Sequence, residues 1–191
     1  MQSLKDRILR EGRVFPGEVL KVDSFLNHQI DTALIDQMAD AFYQIFKDRR
    51  ITKVMTIEAS GIAIAYPVAR LFNVPLLFAK KAKSSNIDDS FFVSSVVSYT
   101  YKRSFDILVS KRYLSPDDSV LLIDDFLATG EALTGLIDLV EQAGANVAGA
   151  GIAIEKGFQP GGRQLREKGY DIRSLATIVA FEGDRVILKE E

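Results

Sequence analysis

The feature that most constrains the fold is an order of apolar strand, helix and apolar strand that occurs in two separate parts of the chain. The first unit is KVMTI at 53–57, GIAIAYPVARLF at 61–72 and VPLLFA at 74–79, and the second is VLLI at 120–123, EALTGLIDLVEQ at 131–142 and VAGAGIAI at 147–154. Strands that are apolar throughout are typical of a parallel sheet with both faces covered. The pattern therefore predicts an α/β fold whose parallel sheet lies between layers of helices.

Composition narrows the chemistry that such a fold can support. The 191 residues contain no cysteine and one histidine, His28, which excludes thiolate nucleophiles and clustered histidine metal sites. Lys and Arg number 24 against 26 Asp and Glu, so the net charge is −2 and a nucleic-acid partner is not expected. The sequence has no apolar run long enough to span a bilayer and does not start like a signal peptide. We expect a cytoplasmic protein of one domain without a membrane partner.

Further elements are expected before and after the two units. Apolar residues at helical spacing predict a short helix over 3–11, and Asp31 is a candidate N-cap for a longer helix. The segment 17–30 between them is expected to be irregular or extended. Near the end of the chain, FQPGGRQ at 158–164 is expected to be a loop, followed by a short helix and a hairpin that turns at 182–184.

Between the two units lies FFVSSVVSYTYKRSFDILVS at 91–110. Its two alternating runs predict an antiparallel hairpin that projects from the sheet. The residues from Tyr101 to Ser104 form its polar tip.

Two loops at the carboxyl ends of the strands have the composition of an anion-binding site. EASG at 58–61 follows the first strand of the first unit, and DDFLATGEA at 124–132 follows the first strand of the second. In an open parallel sheet, ligands bind beyond the carboxyl ends of the strands, where helix N-termini present unpaired N–H groups. Gly61 and Gly130 allow the backbone to approach a ligand closely, and Thr129 adds a hydroxyl. Two such loops predict a ligand with two anionic groups.

Asp124 and Asp125 lie directly before the second loop, where carboxylates would repel a bound phosphate. A carboxylate is, however, a good acceptor for the hydroxyls of a sugar diol, which bring no negative charge. The alternative is an acidic strand end followed by an ordinary capped helix, which is equally common for an isolated Asp-Asp pair. The Thr-Gly loop directly after the acids favours a phosphorylated sugar. The nucleotide motifs GxxxxGK[ST] and GxGxxG are absent.

The stretch VLLIDDFLATGEA at 120–132 resembles the phosphoribosyl-pyrophosphate signature of the type I phosphoribosyltransferases. The resemblance extends over nearly the whole chain, through LKVDSFLNHQID at 20–31, TIEASGIA at 56–63 and AIEKGFQPG at 153–161. It implies the fold of that family in a single domain, with a parallel sheet flanked by helices as the core over about 31–155. Both chain ends, about 1–30 and 156–191, are then expected to form a small hood lobe.

In that family the loop after the acids binds the 5′-phosphate of phosphoribosyl pyrophosphate (PRPP), mainly through backbone amides. The resemblance assigns this role to Ala128, Thr129, Gly130, Glu131 and Ala132. It assigns Asp124 and Asp125 to catalysis, where they hold the ribose hydroxyls, and 58–61 to the pyrophosphate. Family members often have a non-proline cis peptide in that first loop, which a sequence does not reveal. Mg²⁺ is expected to arrive bound to PRPP or pyrophosphate, without a dedicated protein cage.

The base pocket of that family lies under the hood, and the resemblance assigns it to Leu20, Asn27 and Lys156. Leu20 offers an apolar surface, Asn27 offers donors and an acceptor, and Lys156 donates to a carbonyl oxygen, which suits xanthine with its oxygens at positions 2 and 6. Each residue also has an ordinary structural role as the alternative. Leu20 would then lie in the core, Asn27 in a turn and Lys156 in solvent. Phe158 is a candidate for stacking on the base, with packing inside the hood as its alternative. His28 is left out, because a purine N–H is already acidic and needs little help from a base.

The resemblance implies a pentosyl transferase of purine salvage that joins the phosphoribosyl group of PRPP to xanthine, giving xanthosine 5′-monophosphate and pyrophosphate. The hairpin tip is then expected to close over the reacting centre and exclude water. The resemblance also implies a homodimer, in which Lys80 and Lys81 are candidates to touch pyrophosphate, with a solvated strand end as the alternative. Two other functions stay open: transfer to another base, such as adenine or orotate, and sensing of PRPP by a regulator that binds DNA or RNA.

Overall fold

The computed structural model describes residues 1–82, 89–98 and 103–190. The helices are α1 (Gln2–Glu11), α2 (Thr32–Phe46), α3 (Ser60–Phe72), α4 (Glu131–Gln142) and α5 (Gly161–Glu167). The strands are β1 (Arg13–Phe15), β2 (Val19–Lys21), β3 (Lys53–Ile57), β4 (Leu76–Ala82), β5 (Phe91–Ser98), β6 (Arg103–Ser110), β7 (Ser119–Leu127), β8 (Asn146–Lys156), β9 (Ile172–Glu182) and β10 (Arg185–Leu188). A π-helical turn spans Asp23–Asn27 and a 3₁₀ turn spans Lys111–Tyr113. Both predicted strand–helix–strand units are confirmed, as β3–α3–β4 and β7–α4–β8.

The main sheet has the strand order β10-β9-β8-β7-β3-β4-β6-β5. The central strands from β9 to β4 are parallel, whereas β10 at one edge and the pair β6 and β5 at the other are antiparallel. The predicted parallel sheet is therefore confirmed. Because β3, β7 and β8 run in the same direction, their carboxyl ends lie at one edge, and the loops that follow them meet there.

Both faces of the parallel sheet are buried. Along β3, Val54 packs in one hydrophobic cluster and the next residue, Met55, packs in another. Leu121 and Leu122 of β7 divide between the same two clusters. Helices α2 and α3 cover the first face, and α4 covers the second. Burial on both sides explains why the strands are apolar throughout.

The predicted antiparallel hairpin is present as β5 and β6. It continues the main sheet at its edge, because β6 also pairs with the end of β4, where Lys81 lies opposite Ile107. The hairpin packs closely on α4: a Cβ on Gly135 would lie 2.7 Å from the side chain of Val96. Residues 99–102, which include the first half of the polar tip predicted at 101–104, lie outside the described residues.

The two chain ends come together beside the sheet. Helix α1 packs against β9 and β10, and its Leu4 shares a hydrophobic cluster with Val186. Asp31 caps α2 as predicted, since its side chain accepts a hydrogen bond from Leu34 N at 3.1 Å. None of the helices in the described ranges combines the length and apolar character that crossing a bilayer requires.

Two segments differ from the prediction. Segment 17–30 is extended at β2, as predicted, where a tight turn with Gly17 at φ 83° and Glu18 at φ 60° pairs it with β1, but it also contains the π-helical turn, which the sequence pattern does not predict. Segment 158–164, predicted to be a loop, contains the start of α5, which begins with two glycines. Because glycine is a poor helix former, helix propensity does not predict a helix there.

Candidate active site

The loop between β7 and α4 places a glycine at the start of the helix. Gly130 adopts φ 89°, and its carbonyl accepts a hydrogen bond from Thr134 N at 2.8 Å. No side chain caps the first turn of α4, since the capping position is this glycine. The N–H groups of that turn are therefore available to an anion at the loop. We call residues 128–132 the phosphate loop.

Helix α5 packs against the phosphate loop. Gly161 N donates a hydrogen bond to Ala128 O at 3.1 Å. A Cβ on Gly161 would lie 2.5 Å from Gly130 N, and a Cβ on Gly130 would lie 3.0 Å from Gly161 Cα. Two backbones touch here with no space for a side chain between them. The sequence analysis missed this contact, and the signal that marks it is the Gly-Gly pair of segment 158–164.

Asp124 and Asp125 lie at the carboxyl end of β7 and are only 4 % and 9 % exposed. Backbone amides hold both side chains: Asp125 N donates to Asp124 Oδ1 at 2.9 Å, and Phe126 N donates to Asp125 Oδ1 at 3.1 Å. Burial raises the pKa of Asp124 well above its ordinary value, the Asp125 carboxylate raises it further, and the positive charge of Lys81 opposes the shift. The pair therefore favours a ligand that brings hydrogen-bond donors or positive charge.

The loop between β3 and α3 is fastened to β4. Its Glu58–Ala59 peptide is cis, a geometry that the sequence analysis left open. Glu58 N donates to Ala79 O at 3.1 Å, and the Glu58 carboxylate accepts a hydrogen bond from Lys81 N at 2.8 Å. The predicted pyrophosphate loop and the predicted basic residue Lys81 are thus in direct contact.

Gly61, at the start of α3, packs against Thr56 and approaches Asp124. A Cβ on Gly61 would lie 2.0 Å from Thr56 Oγ1 and 3.5 Å from Asp124 Oδ1. The Thr56 hydroxyl is fully buried and has no hydrogen-bond partner among the described residues. The sequence analysis did not single out Thr56, because a threonine in a strand is ordinary.

A cavity of about 990 Å³ opens between the hood, the hairpin and these loops. Its walls come from the β1–β2 turn, the hairpin, the phosphate loop and the segment that joins β8 to α5. Of the predicted site residues, those that line it are Ala128, Thr129, Glu131, Ala132 and Lys156. Gly130 is buried within the same loop, and Asp124, Asp125, Leu20 and Asn27 are not part of the lining.

Lys156 ends β8 and reaches across to the β1–β2 turn. Its ammonium group donates a hydrogen bond to Glu18 O at 2.7 Å. Burial lowers the pKa of Lys156, and the Glu18 carboxylate opposes the shift. An ammonium group has three donors, so this contact leaves donors for a ligand carbonyl in the cavity.

The other predicted base contacts differ in their surroundings. The Leu20 side chain packs in a hydrophobic cluster of the core, whereas its neighbour Val19 lines the cavity. Asn27 ends the π-helical turn and is exposed. Phe158 does not line this cavity and packs edge-on against Phe181, with ring centroids 5.6 Å apart. Its geometry matches the packing alternative.

Asp124 and Asp125 are also candidates to bind a metal ion. Within the part of the chain that the structure describes, no three acidic or histidine side chains are grouped to hold a metal ion. Mg²⁺ commonly binds through one or two carboxylates together with substrate phosphates. The oxygen donors of Asp124 and Asp125 fit a Mg²⁺ ion that arrives with a phosphorylated ligand.

The chain is similar to known proteins over nearly its whole length. The profile of the phosphoribosyl transferase domain matches residues 26–183. The xanthine phosphoribosyltransferase of Ruminiclostridium cellulolyticum is 53% identical over 190 residues, which cover 100% of both chains. That of Bifidobacterium adolescentis is 56% identical over 183 residues, which cover 95% of each chain.

Solved structures of adenine phosphoribosyltransferases share the fold. The enzyme of Giardia lamblia, complexed with 9-deazaadenine, has a TM-score of 0.75 and 24% identity, covering 91% of this chain and 97% of that one. The enzyme of Trypanosoma brucei, in complex with AMP, pyrophosphate and ribose-5-phosphate, has a TM-score of 0.76 and 18% identity, covering 96% and 88%. At these identities the likeness concerns the fold alone.

Asp124→Asn is expected to stabilise the fold at neutral pH. Because the native pKa of Asp124 is raised, the native state binds more protons than the unfolded state, and stability falls as pH rises from the ordinary value of 3.8 through the raised pKa. Asn lacks this penalty and still accepts the hydrogen bond from Asp125 N. Thermal melts should show an advantage over wild type that grows with pH. Asp36→Asn, at an exposed position of α2, is the matched control, and a pH-independent difference for Asp124→Asn would contradict the prediction.

Gly61→Ala is expected to destabilise the protein by about 1–3 kcal/mol, because the new methyl group overlaps the Thr56 hydroxyl. Adding Thr56→Ala removes the overlapping atom and should restore part of the loss, whereas adding Thr56→Val keeps an atom in that place and should not. Urea unfolding of the single and double variants measures the effect. Equal stability of the two double variants would show that the contact is not the cause.

Proposed function

The chain belongs to the phosphoribosyl transferase domain family, and on that premise we propose that it transfers the 5-phosphoribosyl group of PRPP to xanthine. The products are xanthosine 5′-monophosphate and pyrophosphate. The observation that carries the proposal is the cavity, which brings together an uncapped helix start suited to a phosphate and the half-buried ammonium group of Lys156. The names of the two full-length relatives support xanthine as the base.

The residues at the strand ends bind different parts of PRPP. The phosphate loop binds the 5′-phosphate through its backbone N–H groups and so fixes the ribose over the end of β7. Asp124 and Asp125 accept hydrogen bonds from the ribose hydroxyls, and their negative charge stabilises the positive charge that develops on the ring as pyrophosphate leaves C1. A Mg²⁺ ion bound to PRPP would supply charge neutralisation for the pyrophosphate, and the carboxylate oxygens of Asp124 and Asp125 would be its protein ligands. A purine nitrogen then attacks C1 from the opposite face.

The base is held between the hood and the end of β8. Lys156 donates to the oxygen at position 6, and Asn27 donates to the oxygen at position 2. Leu20 contributes through its main chain, since its side chain is 6% exposed and packs in the core. The neighbouring Val19 gives the apolar surface of the cavity at this point.

We further propose that the protein is a cytoplasmic homodimer without nucleic-acid or membrane partners. Tyr66 of α3 is 63% exposed and Phe78 of β4 is 36% exposed, which supports an apolar contact surface between subunits. Lys81 lies on the same strand as Phe78, and its charge acts on Asp124. Lys80 and Lys81 are therefore proposed to contact pyrophosphate, in their own subunit or across the interface.

The expected order of kcat/KM is xanthine first, guanine and hypoxanthine well behind, and adenine nearly inactive. Guanine has an amino group and hypoxanthine a C–H at position 2, so either base leaves the Asn27 donor without an acceptor at a place where the bound base shields it from water. Such a loss costs about 1–3 kcal/mol, or roughly a 5- to 150-fold preference. Adenine places its 6-amino group against the Lys156 ammonium, donor against donor. Asn27→Ala should reduce discrimination at position 2, and Lys156→Ala at position 6.

Competition between the four bases at a fixed PRPP concentration tests this order. Equal use of guanine or hypoxanthine would contradict the assignment of the hood residues. Absence of transfer to any base, together with a shift of DNA or RNA in a binding assay, would favour the alternative of a PRPP-sensing regulator. The net charge of −2 opposes that alternative.

Asp124→Asn is expected to lower turnover without lowering the stability of the fold. In Asp124→Asn, the charge-assisted hydrogen bond to the ribose is lost, which is worth about 1.5–3 kcal/mol. We expect kcat to fall by roughly 10- to 150-fold at saturating Mg²⁺ while the melting temperature is retained or rises. Asp36→Asn should turn over like wild type, and wild-type turnover of Asp124→Asn would refute the catalytic assignment.

A further inference from the structure

Glu155 is a buried acid that lies outside the cavity. It precedes Lys156 in β8, is 5% exposed and does not line the cavity. Its carboxylate accepts two hydrogen bonds from the Arg166 guanidinium, both at 2.7 Å, and a third from the Ser174 hydroxyl. Burial opposes ionisation, but the hydrogen bonds from Arg166 and Ser174 lower the pKa of Glu155 overall. We call these three side chains the Glu155 cluster.

The cluster fixes the short helix α5 in place. Arg166 lies on α5, and its Nε also donates to Ile172 O at 3.3 Å. A Cβ on Gly162 would lie 2.0 Å from Glu155 Oε1 and 2.8 Å from Arg166 Nη1, so the first turn of α5 lies directly on the ion pair. The preceding residue, Gly161, is the one that touches the phosphate loop. One turn of helix thus separates the buried acid from the loop.

The same acid fixes the end of β8. Successive side chains of a strand point to opposite faces, so Glu155 points to α5 while Lys156 points into the cavity. Holding the Glu155 side chain therefore also holds the backbone from which Lys156 extends. A bidentate pair between a guanidinium and a carboxylate fixes orientation as well as distance.

We propose that the Glu155 cluster is a positioning group, which sets the separation between the phosphate loop and the base-binding ammonium of Lys156. The inference rests on the proposed function, because it assigns the two ends of the substrate to those two places. A buried ion pair by itself adds little net stability compared with neutral side chains of similar shape. Its fixed geometry, in contrast, acts directly on both substrate contacts.

The test is the double variant Glu155→Gln/Arg166→Met, which removes both charges and leaves no unpaired buried ion. We expect its kcat/KM to fall by about 10- to 100-fold, the size of effect that a displacement of about 1 Å produces. KM for PRPP and for xanthine should both rise, with the melting temperature close to wild type. Arg163→Met removes an exposed arginine from the same helix and is the matched control, expected to behave like wild type.

A milder variant covers the case in which the double variant does not fold. Ser174→Ala removes one hydrogen bond and keeps the ion pair, so KM for PRPP should rise by about fivefold, equivalent to about 1 kcal/mol. Ser174→Thr keeps the hydroxyl and should restore the wild-type KM. A purely structural role would instead lower the amount of active protein, and hence the apparent kcat, at unchanged KM, and that result would overturn the proposal.

Calorimetric titration with PRPP separates this inference from the proposed function. It needs no base, so the dissociation constants of wild type and variants are comparable even if xanthine is not the acceptor. A wild type that binds PRPP but does not transfer it to xanthine would refute the proposed function, while weaker PRPP binding by the variants would still support positioning. Unchanged PRPP binding in Ser174→Ala and in the double variant would overturn the inference and leave the function intact.

Discussion

The site depends on one constraint of the parallel sheet, which is that its strands end at the same edge. β8, β7 and β3 are neighbours in the sheet, so the loops that follow them converge without long connections. Two of these loops lead into α3 and α4, whose first turns have no side-chain cap. Their N–H groups have no acceptors within the helix. The suitability of this edge for an anion is thus a consequence of topology, and in the proposed function the side chains nearby determine which anion-bearing ligand fits.

Both acids of β7 are buried, although burial disfavours a charged carboxylate. Asp124 and Asp125 are buried side by side, and burial together with the Asp125 carboxylate raises the pKa of Asp124, so the protein disfavours the charge that the proposed reaction requires. The buried Thr56 hydroxyl beside them also lacks a partner among the described residues. In the proposed reaction, positive charge develops on the ribose next to these buried carboxylates. Their interaction with the substrate is therefore stronger in the transition state than in the ground state. That difference is what lowers the barrier.

The sequence predicts the sheet well because its signals are local. Continuous burial on both faces makes β3 and β7 apolar throughout, and the bounds of α4 follow from helical spacing after Gly130. The position of the phosphate loop is also predicted from a local signal, since Thr129 and Gly130 closely follow the strand β7. The β1–β2 turn and the start of α5 within 158–164 are not predicted, since they depend on contacts between distant residues, such as Lys156 with Glu18 and Gly161 with Ala128. The placement of Leu20 and Asn27 relative to the cavity likewise follows from the fold of the hood.

A charged residue that follows an apolar strand is usually taken to mark the point where the strand reaches solvent. In β8 that reading holds for Lys156 but fails for Glu155, which is buried deeper than its neighbour because Arg166 neutralises it. Arg166 is only eleven positions farther along the chain (166 minus 155) and lies on a helix that begins against the phosphate loop. An acid and a base adjacent in sequence thus serve opposite faces of one strand, and in the proposed mechanism the geometry of the reaction is set by a charge pair that lies outside the cavity.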